Sequence, residues 1–106
     1  MNATELEHEF APRAVPYSGG LQLLGPDDAL ALVRRAAEEG VPVLGVDGML
    51  LSERSTESPI EHIADFSAAV ARGDGCWGPA ASFIAERRGL GLGFEVVLRE
   101  SDAPAP

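Results

Sequence analysis

Apolar and polar positions separate most cleanly between Pro26 and Glu39. Ala29, Leu30, Leu32, Val33, Ala36 and Ala37 recur at helical spacing and form one broad apolar face. Arg34, Arg35, Glu38 and Glu39 lie on the other face, with i,i+4 pairs at 34/38 and 35/39. Pro26 fits the first helical position, Asp27 and Asp28 suit the exposed N–H groups of the first turn, and Gly40 suits a left-handed terminator. This spacing predicts a helix over 26–39 lying on a sheet.

The next block changes period. Val41, Val43, Leu44 and Val46 form a nearly continuous apolar run, and Met49, Leu50 and Leu51 form another. Asp47-Gly48 lies between them, a pair that favours a tight turn because glycine accepts positive φ and aspartate tolerates it. A central β-hairpin over about 41–52 follows, with Gly45 marking a bulge or a close backbone approach.

Ser58-Pro59-Ile60-Glu61 has the spacing of a capping box, and Ile60, Ile63, Phe66, Ser67 and Val70 trace an inner stripe behind it. A second helix is predicted over 59–72. A third, over 79–88, carries Ala80, Phe83 and Ile84 inward. Phe94, Val96 and Leu98 then alternate with Glu95 and Arg99, as in a strand with one more polar face. Leu21–Leu24 reads as a short first strand.

The element order β–α–β–β–α–α–β predicts an α+β fold, with helices packed on one face of a small, mostly antiparallel sheet. Residues 1–13 lack a clean period and are expected to form a mobile arm. Residues 14–100 form a single domain on this reading, and 101–106, rich in Ala and Pro, a disordered tail.

Charge alters the picture more than length does. Seventeen carboxylates face eight arginines and no lysine, for a net charge of −9. Twelve carboxylates and four arginines fall in residues 1–66, so that stretch carries −8. Such a field repels nucleic acid phosphates and anionic headgroups and favours a basic protein or another cation. The lack of lysine beside abundant Ala and Gly fits codon bias in a GC-rich bacterial genome. No stretch approaches the ~20 apolar residues of a membrane-spanning helix, and the acidic N-terminus does not resemble a signal peptide. A single cysteine, Cys76, excludes an intramolecular disulfide. A soluble cytoplasmic protein is expected.

Candidate chemistry gathers after the hairpin, in Asp47, Glu53, Glu57, Glu61, His62 and Asp65. His62 and Asp65 are i,i+3 on the predicted second helix, where their side chains meet. The carboxylate spacing fails the pattern of a calcium-binding loop, and Glu61, Asp47 and Glu57 each have a structural role at a cap, a turn or a helix start. Gly89-Leu-Gly-Leu-Gly-Phe94 precedes a strand, so it lacks the setting of a phosphate-binding loop. No motif names a reaction or requires a cofactor.

The composition therefore predicts a non-catalytic acidic protein that binds a basic protein partner through the surface around Asp47–Asp65. In size and acidity the chain resembles small inhibitor or immunity-type proteins that neutralise basic toxins, a resemblance of profile that no motif carries. A second class is a small-molecule or metal-binding protein or minor enzyme. Its pocket would lie between sheet and helices, with Asp47, His62 and Asp65 as polar groups. A third is a homodimer through an exposed edge such as the last strand.

Overall fold

The computed structural model describes residues 2–15, 22–50 and 62–99. Among these residues, four helices and a three-stranded antiparallel sheet form the expected small α+β fold. The elements are α1 (Ala3–Phe10), α2 (Pro26–Glu39), β1 (Val43–Leu50), β2 (Ile63–Asp65), α3 (Ser67–Ala71), α4 (Trp77–Glu86) and β3 (Leu92–Leu98). Strand order is β2-β1-β3, so the middle strand is β1 and its longer partner is the last strand of the chain.

Helix α2 begins and ends where its local signals place it. Gly40 adopts φ 68° and donates its N–H to the carbonyls of Ala36 and Ala37, two of the carbonyls that the helix end leaves over. Val41 N–H then bonds Ala36 O at 2.8 Å and turns the chain into the sheet.

The hairpin is corrected. Residues 43–50 run as one strand straight through Asp47-Gly48, which pair with Glu95 and Phe94 of β3. No positive φ occurs at either residue. Gly45 and Gly48 serve a different purpose. A Cβ on Gly45 would lie 2.8 Å from Ala64 O, and one on Gly48 would lie 3.2 Å from both His62 Cβ and Leu92 Cδ1. β1 is glycine-rich because β2 crosses close to it. The register against β3 also shifts between Val43 and Gly45, so Gly45 marks both a bulge and a close approach.

The predicted second helix is corrected as well. Ile63–Asp65 is a strand paired with β1, and helix is confined to the five residues of α3. The capping-box residues 58–61 lie outside the described residues, as do the tail at 101–106 and Leu51 and Ser52 of the predicted hairpin. The third helix and last strand stand close to their predicted places. The short strand expected at 21–24 reduces, among described residues, to single bridges from Leu23 to Val15 and from Leu24 to Phe94.

The N-terminal arm is the third correction. Asn2 and Glu5 form a capping box: Asn2 Oδ1 accepts the Glu5 N–H at 2.8 Å, and the Glu5 carboxylate accepts the Asn2 N–H at 3.1 Å. Ala3, Leu6 and Phe10 of α1 are buried in the same core as α2, α4 and the sheet. Arg35 on α2 forks onto the Glu9 carboxylate with two bonds of 3.1 Å, and Arg13 sits 3.6 Å from Asp28.

The core occupies one side of the sheet. Val46, Leu92, Phe94, Val96 and Leu98 share that side and pack against Ala29, Leu32, Ala36, Ala80 and Ile84 of the helices. The start of α4 is tied to β1 by two bonds, Val43 N–H to Cys76 Sγ at 3.3 Å and Trp77 Nε1–H to Val41 O at 2.8 Å. Cys76 is thus a buried core residue. None of the helices among the described residues is long and apolar enough to cross a membrane.

Candidate functional site

Alternation along the strands sends the residues between the core positions to the other side of the sheet. Asp47 and Met49 of β1, Glu95 and Val97 of β3, and Ile63 and Asp65 of β2 share it. A shallow depression of about 350 Å3 lies there, with Gly45 on its floor and Asp47, Asp65, Ile63, Ser67 and Val97 around it. Because Gly45 has no side chain, the floor stays open between strands.

Two carboxylates face each other on this surface. Asp47 and Glu95 are direct cross-strand partners, an arrangement that disfavours a doubly charged pair. Partial burial raises the Asp47 pKa, and the Asp65 charge adds to the effect. Partial burial likewise raises Glu95, followed by the charges of Asp47 and then Glu7. Asp65 behaves oppositely: the Ser67 hydroxyl (2.6 Å) and backbone N–H (2.9 Å) both donate to Oδ1 and lower its pKa. Asp65 therefore has a structural task in holding the turn into α3.

Three carboxylates stand apart from the rest. Among the described residues Glu9, Glu38 and Glu39 lie on Arg35, Asp28 on Arg13, Asp27 on Arg88, Asp74 on Arg72 and Glu86 on Arg87. Glu5 accepts from Asn2, and Asp65 from Ser67. Only Glu7, Asp47 and Glu95 have no basic partner or donor there, and they adjoin. Glu95 feels the charges of both others, which makes a stripe from α1 across β3 to β1.

The stripe also borders a deeper cleft. About 440 Å3 of space along the outer edge of β3 is lined by Glu7, Gln22, Leu24, Leu32, Glu95, Val96 and Val97. Gln22 Nε2 donates to Glu7 O at 3.3 Å and fixes that wall.

The predicted site is only partly assembled. Asp47 and Asp65 share a face, whereas His62 lies on the opposite side of the sheet. Its Nδ1 accepts from Arg87 Nε at 3.3 Å, and that guanidinium stacks 3.7 Å from the Phe83 ring centroid. The pocket of Asp47, His62 and Asp65 is therefore split by the sheet. Glu53, Glu57 and Glu61 lie outside the described residues. Glu7 and Glu95 escaped the sequence reading, since only the fold brings Glu95 beside Asp47 and Glu7 near Glu95. No group of three or more His, Cys, Asp or Glu side chains among the described residues is arranged to hold a metal ion.

The opposed pair makes stability depend on pH. Both folded pKa values are raised, so both groups favour the fold once protonated and lose that contribution as pH rises through the raised values. Asp47→Asn with Glu95→Gln is expected to stabilise the protein at pH 7 by on the order of 0.2–1 kcal/mol. The advantage should shrink as pH falls toward the ordinary carboxylate range near ~4. Urea melts of both proteins at pH 7 and 5 measure this, and a variant less stable than wild type at pH 7 would contradict it.

No protein-family model, curated protein or solved structure matches this chain.

Proposed function

We propose that this chain is a non-catalytic interaction protein that binds a basic protein partner through the stripe of Glu7, Glu95 and Asp47. The observation behind this reading is that the unpaired carboxylates adjoin while every other described carboxylate has a donor. Like charges gathered without counterions cost folding free energy, and an incoming Arg or Lys relieves that cost. The net charge of −9 adds a long-range attraction that speeds encounter and weakens with salt. The depression floored by Gly45 gives the partner a concave apolar contact beside the charges, through Ile63 and Val97.

Capture from native lysate at low and physiological salt, with partners identified by mass spectrometry and remeasured by calorimetry, tests this reading. A basic protein is expected whose affinity falls roughly tenfold or more in the variant combining Glu7→Gln, Asp47→Asn and Glu95→Gln, about 1.4 kcal/mol. Equal affinity for wild type and variant, or no salt-sensitive partner, would remove it.

A further inference from the structure

We infer that Asp74-Gly75 is a site of spontaneous backbone isomerisation, and that the fold directs this reaction to it and away from Asp47-Gly48. These are the two Asp-Gly pairs of the sequence. A glycine after aspartate leaves its backbone nitrogen unshielded, within reach of the side-chain carboxyl carbon. The Gly75 nitrogen bonds Asp74 Cγ, and the carboxyl hydroxyl leaves as water with the amide hydrogen. A five-membered imide results, which water then opens. Cleavage of the new N–Cγ bond restores aspartate. Cleavage of the original peptide bond leaves isoaspartate, with Cβ and Cγ in the main chain and the carboxylate on Cα free. No atom is gained or lost overall, and no oxidant or reductant takes part.

The setting of residues 74 and 75 favours ring closure. Both are exposed, and they lie between α3 and α4 outside any helix or strand. Among the described residues no group accepts the Gly75 N–H, so the nucleophile is not held elsewhere. A Cβ on Gly75 would have nothing within 4 Å, so the ring has room to form. One contact opposes it: Arg72 Nε donates to Asp74 Oδ2 at 2.9 Å. With 64% and 57% of the two side chains exposed, that pair is a weak restraint.

Asp47-Gly48 has the same chemistry in the opposite setting. Asp47 pairs with Ile63 on one side and Glu95 on the other, and Gly48 pairs with Phe94. His62 and Leu92 crowd the space beside Gly48, so a ring there has no such room. Closing it requires the strand to open first, and paired strands of a core open rarely. Partial burial favours the acid form of Asp47, the form that loses water, so pairing outweighs protonation at this site.

Isomerisation at residue 74 also has a structural consequence. The added main-chain carbon enters two residues before Cys76, whose Sγ accepts the Val43 N–H, and three before Trp77, whose Nε1–H bonds Val41 O. The chain is lengthened where α4 is fastened to β1.

The test ages the full-length protein for several weeks at mildly acidic pH, folded and in guanidinium chloride. Trypsin then yields residues 36–54 and 73–87, each with a single aspartate. Isoaspartyl methyltransferase with S-adenosylmethionine marks the freed carboxylate as a methyl ester, which mass spectrometry counts. Folded protein should carry at least tenfold more isoaspartate in 73–87 than in 36–54, and denaturant should bring the two within about threefold. Gly75→Ala, which meets no neighbour, should cut the 73–87 yield at least threefold with an unchanged far-UV circular dichroism spectrum. Equal yields from the two peptides of the folded protein, or no isoaspartate in 73–87, would overturn the inference. So would a tenfold difference that persists in denaturant, because the fold would then not direct the reaction, or an unchanged yield in Gly75→Ala.

Discussion

Phe10→Ala is expected to destabilise the protein by about 3–5 kcal/mol, the usual cost of truncating a buried aromatic. Phe10 is 2% exposed and belongs to the same buried cluster as Leu6, Leu32 and Phe94. The loss combines lost transfer free energy with a cavity that the surrounding side chains refill only in part. A domain of this size has roughly 5–15 kcal/mol in all, so the variant should be marginal near room temperature. Urea unfolding followed by far-UV circular dichroism gives the number. A change below about 1 kcal/mol would mean that α1 does not belong to the core.

Gly45→Ala is expected to cost about 1–3 kcal/mol, as overpacking does, and to act locally. The new Cβ would meet Ala64 O, a backbone atom that cannot swing aside as a side-chain tip can. Relief comes from moving β2, which has three residues and lies at the sheet edge, whereas β1 is held along seven paired positions by β3. The Ala64 amide should therefore exchange at least tenfold faster, while the amides of Glu95 and Val97 keep their protection. Gly78→Ala is the control, since nothing lies within 4 Å of a Cβ there and Gly78 is helical. It should be neutral or stabilising by about 0.4–1 kcal/mol. Similar melts for Gly45→Ala and Gly78→Ala would mean that β2 does not crowd β1.

Those two substitutions fall where sequence and structure part. Asp47-Gly48 has the composition of a turn, and the sequence does not reveal that the side chains of His62 and Leu92 crowd a Cβ at Gly48. The glycine that permits a turn is the same glycine that permits close packing. Ile63 and Phe66 have helical spacing, yet a three-residue strand followed by a five-residue helix is too short for either period to be recognised. By contrast, Pro26, Asp27 and Gly40 act on their own backbone, so α2 was legible to its ends.

Helix α1 is a different kind of miss. Asn2 with Glu5 is a capping box, and Ala3, Leu6 and Phe10 fall at helical spacing, so the signal was local and available. The acid stripe was not available. Asp47 was legible as a candidate, but its companions Glu7 and Glu95 come from opposite ends of the chain and meet only after the sheet closes.

The pairing of β1 with β3 also governs the order of assembly. The middle strand ends at Leu50, while the strand that covers its longer side ends at Leu98 and supplies Leu92, Phe94 and Val96 to the core. During synthesis α2 has its own caps, but β1 must wait for dozens of further residues before its main partner exists. Loop closure over that distance precedes any gain from packing, which slows folding relative to a helical bundle of equal length. A nascent chain halted before Leu92 holds a glycine-rich apolar strand without the neighbour that buries it. That interval is when the protein is most exposed to mispairing, and the carboxylate at Asp47 marks the exposed strand with a charge.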